Sequence, residues 1–168
     1  PTEAQWEWAC RAGSDTPFWY GNMSADFSGY ANLGDIKLKE FAACTAYKFY
    51  ESAMVIENPN KYDDWIPRDT TYNDGGFISE PVGRYVRNPW DLFDMHGNVW
   101  EWTLSSYLPY PYNENDGRNE LSSENGKRVV RGGSWYDRPY RSTSSFRLPY
   151  REYQKVYNVG FRVVMTEE

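Results

Sequence analysis

Apolar residues in this chain come in short bursts separated by polar and Gly/Pro-rich stretches, and the opening burst keeps a helical period. In PTEAQWEWACRAG (1–13), Trp6, Ala9 and Cys10 recur at the spacing of one helix face. Thr2 precedes them as an N-cap, Glu3 and Glu7 lie near the positive end of the helix dipole, and Gly13 supplies a stop. The pattern predicts one short helix. From Ser14 to Asp35, Gly, Ser, Asn and Asp alternate with aromatics without a sustained period, which predicts irregular loop with one short strand at most. Leu38 to Val55, with Phe41, Ala42, Tyr47, Phe49 and Tyr50, fits either a helix or an inserted strand pair. Asn58 to Gly76 is punctuated by Pro59, Pro67, Asn73-Asp74 and Gly75-Gly76, yet holds Trp65 and Tyr72, which favour burial. That combination predicts a long ordered loop.

The second half reads as short strands. Pro81-Val82-Gly83 is a strand candidate, and Val99-Trp100-Glu101-Trp102-Thr103 has stronger strand propensity. Lys127-Arg128-Val129-Val130-Arg131 is predicted to end at Gly132-Gly133, and Val159 to Val164 to close the chain. Tyr107 to Gly126, rich in Pro, Asn and Gly, is predicted to be exposed loop. The expected class is α+β, a single domain over 1–168 with one or two helices, short strands and much ordered loop. QWEW at 5–8 and VWEW at 99–102 are too short an echo to make a repeat.

Composition narrows the chemistry. At 168 residues, 40% hydrophobic and 25% charged, the chain is long enough to bury a core without disulfide staples. Eighteen Lys and Arg against 24 Asp and Glu give a net charge of −6, which argues against nucleic acid and anionic lipid partners. No apolar run approaches membrane-spanning length, and Pro1 is not followed by a targeting pattern. The compartment stays open, with an extracellular or periplasmic one favoured. Cys10 and Cys44 have neither metal-ligand nor CxxC spacing and are read either as free thiols or as one disulfide. His96 is the single histidine, so a His-rich metal site cannot be built, and a Ser-His-Asp triad would have to use it.

Four motifs fall in one order: PTEAQWEWACRAG (1–13), NPWDLFDMHGNVWEW (88–102), RVVRGGSWYDRP (128–139) and NVGFRVV (158–164). Together they resemble the C-terminal part of a formylglycine-generating-enzyme (sulfatase-modifying factor) domain, from end to end apart from an insert at about 35–68. The resemblance implies a C-type-lectin-like fold and a domain whose N-terminal part lies outside these residues.

It also implies two calcium sites, whose residues suit a cation that mixes carboxylates with backbone carbonyls. One would use the Asp94 and Glu101 carboxylates with the carbonyls of Gly97 and Val99. The other would use the Asn32 side chain, the Leu33 carbonyl, Asp74 and the Gly76 carbonyl. The alternative is that HGN and NDGG are ordinary turns.

In the enzymes this chain resembles, two cysteines shortly after RGGS bind copper. Here those positions are Asp137 and Ser142. Hard oxygen groups cannot reproduce a two-thiolate Cu(I) site, so copper is not expected. Ser134 and Trp100 match residues of the oxygen and substrate pocket, with a purely structural role as the alternative. The segment Trp135–Tyr157 corresponds to a ligand face, with Trp135, Tyr136, Arg138, Tyr140, Arg141 and Arg147 as candidate contacts. Tyr and Arg are residues of recognition surfaces and suit a peptide or glycan ligand. The expected function is a calcium-stabilised peptide- or glycan-binding module without oxidase activity. The alternative is an enzyme that oxidises a protein cysteine to formylglycine, or does related oxygen or metal chemistry with residues outside this chain.

Overall fold

A computed structural model describes residues 1–38, 69, 71–121 and 126–165. Helix α1 spans Glu3–Arg11 and is opened by a capping box: Thr2 Oγ1 accepts from Gln5 N (3.2 Å), and Gln5 Oε1 accepts from Thr2 N (2.9 Å). It ends at Ala12, in the left-handed region at φ 44°, whose N–H donates to Trp8 O. The stop thus comes one residue before the predicted Gly13.

Strands β1 (Trp100–Ser106), β2 (Lys127–Arg131), β3 (Leu148–Arg151) and β4 (Val159–Phe161) form one mixed sheet in the order β3-β2-β1-β4. β1 and β2 are antiparallel with Glu101 opposite Arg131, β2 and β3 are antiparallel, and β4 runs parallel to β1 with Trp100 opposite Val159. One short 3-10 turn covers Pro139–Ser142. The α+β class with short strands and long ordered loops is as expected.

Several local readings differ. Pro81–Gly83 is a turn: Gly83 takes φ +81° and its N–H leaves any ladder to reach Asp94 Oδ2 at 2.8 Å. The closing strand stops at Phe161, because the next residue, Arg162, turns to Glu101. β3 was missed because Pro149 sits inside it, and the sheet accepts that proline on an edge strand, opposite Val129. Ser14–Asp35 contains only isolated bridges, Phe18 to Gly21 and Asn32 to Gly97. Within the predicted exposed loop 107–126, Arg118 is 1% exposed. The readings on Leu38–Val55, apart from Leu38 itself, and the insert at 35–68, apart from its first four residues, lie outside the described residues, as do Cys44 and Trp65.

Two apolar clusters among the described residues pack the loops on α1 and on one another. Trp6, Cys10 and Met95 pack with Ala9 and Leu92, while Phe27, Ala31 and Leu33 pack with Tyr20 and Tyr72. Between α1 and the sheet lies a charged centre. The fully buried Glu3 carboxylate meets Arg131 Nη2 (3.3 Å), Arg118 Nη1 (3.3 Å) and Arg147, whose Nη2 donates to Oε1 at 2.9 Å. Arg131 also reaches Glu7 Oε2 at 2.9 Å. Three arginines from β2, a loop and the approach to β3 are therefore tied to the first turn of α1.

Candidate functional site

The site begins where β2 ends. Gly132 and Gly133 take φ +93° and +75°, and a Cβ on Gly133 would collide with Ser142, so the chain folds back on itself at this pair. The turn delivers Ser134 and Asp137 beside β1 and puts Ser142 beneath them.

Asp137 is the acceptor at the centre. Its Oδ2 receives Ser134 Oγ–H (2.5 Å) and Trp100 Nε1–H (2.7 Å), and Arg141 Nη1 lies 3.5 Å from Oδ1. Ser134 Oγ in turn accepts from Asn158 Nδ2 at 2.8 Å. Burial pushes the Asp137 carboxyl above its ordinary range, and the bonds from Ser134, Trp100 and Arg141 oppose that rise. Ser134 and Trp100, expected as pocket residues, are thus buried and bonded to one carboxylate. Ser142 is fully buried, and its Oγ has no hydrogen-bond partner among the described residues.

Beneath Ser142 lies His96. Trp19 N–H points at His96 Nε2 (3.3 Å), which places the ring proton on Nδ1, and Nδ1 donates to Ser142 O at 2.6 Å. Cys10 Sγ is 3.5 Å from Nε2. Burial holds the His96 imidazole down at about 4 and pushes the Cys10 thiol up to about 12. Cys10 is a free, buried thiol. This pair belongs to the core and does not rebuild the absent thiolates.

The expected ligand face divides. Tyr140, Tyr153 and Tyr157 are exposed, and Tyr157 packs beside Tyr136 and the buried Trp135. Arg138 and Arg141 flank them, half-buried. Arg147 does not join this surface: its guanidinium lies over the rings of Tyr107 (4.6 Å) and Tyr110 (4.3 Å) and is ion-paired to Glu3.

The two proposed calcium sets also differ. Asp74 Oδ2 accepts from Leu33 N (2.7 Å) and Oδ1 from Gly76 N (2.7 Å), which brings Asn32, Leu33, Asp74 and Gly76 together. Around Gly76 a Cβ would lie 2.7 Å from Asn32 Oδ1, 2.9 Å from Asp74 Oδ1 and 2.9 Å from Tyr85 Oη, so three oxygens converge on one point. Burial pushes Asp74 up to about 6, and among the described residues no Lys or Arg is ion-paired to it. The nearest cations are engaged elsewhere, Arg84 with Glu80 and Lys37 Nζ with Gly75 O. A buried carboxylate with convergent hard oxygens and no ion-pair partner among the described residues fits calcium.

Asp94, Val99 and Glu101 line a common cavity of about 340 Å³, but Arg162 lines it too. Its Nε and Nη2 grip Glu101 at 2.5 and 2.6 Å, Trp6 Nε1 adds a third bond at 2.6 Å, and Nη2 also reaches Phe93 O. Asp94 Oδ2 accepts from Gly83 N–H at 2.8 Å. With Glu101 neutralised bidentately, this donor set does not fit calcium as it is arranged. Sequence reasoning missed Arg162 and Asn158 as site residues although both stand in NVGFRVV, and it missed Tyr85 altogether.

Comparison with known proteins settles the kinship. The profile of the sulfatase-modifying factor enzyme 1-like domain matches residues 1–167. The chain belongs to this family. It is 27% identical over 180 residues to the formylglycine-generating enzyme of Mycobacterium tuberculosis, covering 98% of this chain and 50% of that relative. It is 30% identical over 113 residues to inactive C-alpha-formylglycine-generating enzyme 2 of Mus musculus, covering 62% of this chain and 32% of the relative. The chain spans half or less of the length of these curated relatives. PvdO from Pseudomonas aeruginosa superposes with a TM-score of 0.64 at 23% identity, over 95% of this chain and 49% of that one. The fold is the C-type-lectin-like fold of the family. Among the described residues, no helix is long and apolar enough to cross a membrane.

Proposed function

We propose that this domain of the sulfatase-modifying factor family is a binding module without copper-thiolate oxidase chemistry, stabilised by calcium, that recognises a peptide or glycan through the Tyr136–Tyr140–Tyr157 face. The observation that carries it is the state of Asp137. At a position where the resemblance places a copper-binding cysteine, a buried carboxylate locks Ser134 and Trp100 into its own hydrogen bonds. Groups so engaged are not available to oxygen or a substrate thiol, and the buried Ser142 hydroxyl offers copper no soft ligand. The kinship to a mammalian relative named as inactive agrees with this reading.

Calcium would be held by the Asn32 side chain and the Asp74 carboxylate with the carbonyls of Leu33 and Gly76. It would supply the charge that the buried Asp74 lacks. The exposed tyrosines offer broad rings with few rotors to freeze, and Arg138 and Arg141 offer planar donors at the rim.

Incubation with a cysteine-containing sulfatase-motif peptide, copper and reductant tests the first half of the reading: the peptide mass stays unchanged, and a loss matching aldehyde formation overturns it. Peptide and glycan arrays test the second. Tyr140→Ala and Tyr157→Ala abolish the retained signal without shifting the Tm, and arrays silent with the unaltered protein refute a peptide or glycan ligand.

A further inference from the structure

The rings of the ligand face do not lie flat. Trp135, Tyr136 and Tyr157 meet pairwise, with ring centroids 5.4 Å apart for Trp135 and Tyr136, 6.0 Å for Trp135 and Tyr157, and 6.3 Å for Tyr136 and Tyr157. The corresponding interplanar angles are 76°, 56° and 81°. Rings at such steep mutual angles make a corner, in which a small group can meet more than one ring at once. Trp135 forms its back: the residue is buried, and its backbone N–H donates to Asn98 O at 3.0 Å. Tyr157, 72% exposed, forms its open front.

A carboxylate adjoins the corner. Asp137 follows Tyr136 in the chain, and its Oδ2 is taken up by Ser134 and Trp100. Among the described residues Oδ1 meets only Arg141 Nη1, at 3.5 Å, the outer limit of a hydrogen bond. Its charge is therefore only loosely answered. Burial first, and then the Asp137 charge, push the phenols of Tyr136 and Tyr150 above their ordinary range, so the carboxylate acts on the rings around it.

This combination selects for positive charge. The faces of Trp and Tyr rings attract a cation through the ring quadrupole, and a neighbouring carboxylate adds a full negative charge in a partly dehydrated setting. An alkylammonium gains from both, whereas an anion is disfavoured by both and a neutral sugar gains contact area alone. Arg138 and Arg141 stand half-buried on the same segment, and each is engaged within the protein. Their N–H groups suit the carbonyl oxygens of a peptide that carries the cation.

We propose that the ligand of this face is a peptide presenting an alkylammonium side chain, lysine or a methylated lysine, which seats in the corner of Trp135, Tyr136 and Tyr157 beside Asp137. The inference rests on the reading of this face as a peptide- or glycan-binding surface and commits that reading to a basic peptide. It is independent of the calcium reading.

Saturation-transfer NMR titrations of the natural protein test it with three probes: Nα-acetyl-lysine methylamide, its Nε-trimethylated form, and the neutral isostere in which carbon replaces the trimethylated nitrogen. Both cations are expected to bind about tenfold more tightly than the isostere. Tyr157→Leu, at an exposed position, should erase that preference without shifting the Tm. Asp137→Asn, which keeps a hydrogen-bonding oxygen, should weaken the cations several-fold and leave the isostere unchanged. Equal affinity for isostere and cations overturns the proposal, as does failure of both cations to bind up to their solubility. The arrays described above separate this failure from that of the wider reading. Retained peptides with no preference for basic residues, or retained glycans alone, overturn the cationic seat and leave a binding module standing, whereas silent arrays refute the module and the seat with it.

Discussion

Arg131 Nη2 stands 3.3 Å from Glu3 Oε2, with both side chains wholly excluded from water. The pair joins the first turn of α1 to the last residue of β2, 128 positions later. Around it Arg118, Arg147 and Glu7 complete a network in which one carboxylate faces three guanidinium groups. Desolvating such charges is costly, and their mutual attraction repays it only while the set is complete.

Removing the carboxylate should therefore be far worse than removing an ordinary surface charge. Glu3→Ala leaves three buried or nearly buried arginines without their common partner, and a loss of about 3–5 kcal/mol is expected. Urea denaturation measures it. Trp8→Ala, on the same helix but outside the network, is the contrast, with a cost of about 1 kcal/mol from its edge-on contact with Trp90. A Glu3→Ala cost below about 1 kcal/mol, the level of an exposed pair, would show that the network contributes little.

Asp137 carries a second prediction. In Asp137→Ala the Trp100 indole N–H and the Ser134 hydroxyl lose their shared acceptor, and with about 1–3 kcal/mol for each buried unpaired group the variant should lose roughly 3 kcal/mol. Asp137→Asn retains an oxygen and loses less. The unaltered protein should not retain Cu(I) against a chelator such as bicinchoninate, because Asp137 and Ser142 offer no thiolate and Cys10, the thiol among the described residues, is buried and held protonated. Stoichiometric Cu(I) retention would contradict the assignment.

The difference between these two centres shows what a single sequence reveals. Helix α1, β1, β2 and the start of β4 are legible because their apolar spacing and Gly stops are local signals. The turn to Asp137 is legible as well, because Gly132 and Gly133 mark it. The Glu3 network is not, since Glu3 lies more than a hundred positions from each of its arginines and arginine in a polar loop reads as solvated; Arg118 is buried because the distant Glu3, the neighbouring Asp116 at 2.7 Å and the Tyr112 ring hold it together. The same reason hides the grip of Arg162 on Glu101. The divided fate of the ligand-face arginines, with Arg147 turned inward, depends on Tyr107 and Tyr110, which the chain presents from another loop.

Calcium dependence should follow the geometry of the two donor sets. Chelation with EDTA is expected to lower the Tm and added Ca²⁺ to restore it, by an amount equivalent to about 3 kcal/mol at a hundredfold excess over Kd. Asp74→Asn should abolish that response. Glu101→Gln should destabilise the protein by freeing Arg162 from its partner, yet keep the calcium response intact. If the response vanishes in Glu101→Gln and survives in Asp74→Asn, the roles of the two sets are reversed.

His96 gives a pH test whose sign is fixed by its burial. In the folded protein the imidazole titrates at about 4, against an ordinary value of 6.5, so between those values the unfolded chain binds the extra proton. Stability from this group is complete above pH 6.5 and falls as the pH drops towards 4, by roughly 3 kcal/mol in all. Asp74 and Asp137, both pushed upward by burial, act in the opposite direction in part of the same window, so the overall Tm does not isolate the effect. The comparison with His96→Gln does. At pH 7.5 the variant is less stable, because it loses the bond to Ser142 O and the ring packing on Phe18 and Tyr20. As the pH falls from 7 to 4.5 the gap between the two should narrow steadily, since only the unaltered protein has a buried neutral base that must resist protonation. A gap that stays constant across this range would mean that His96 is not buried in its neutral form.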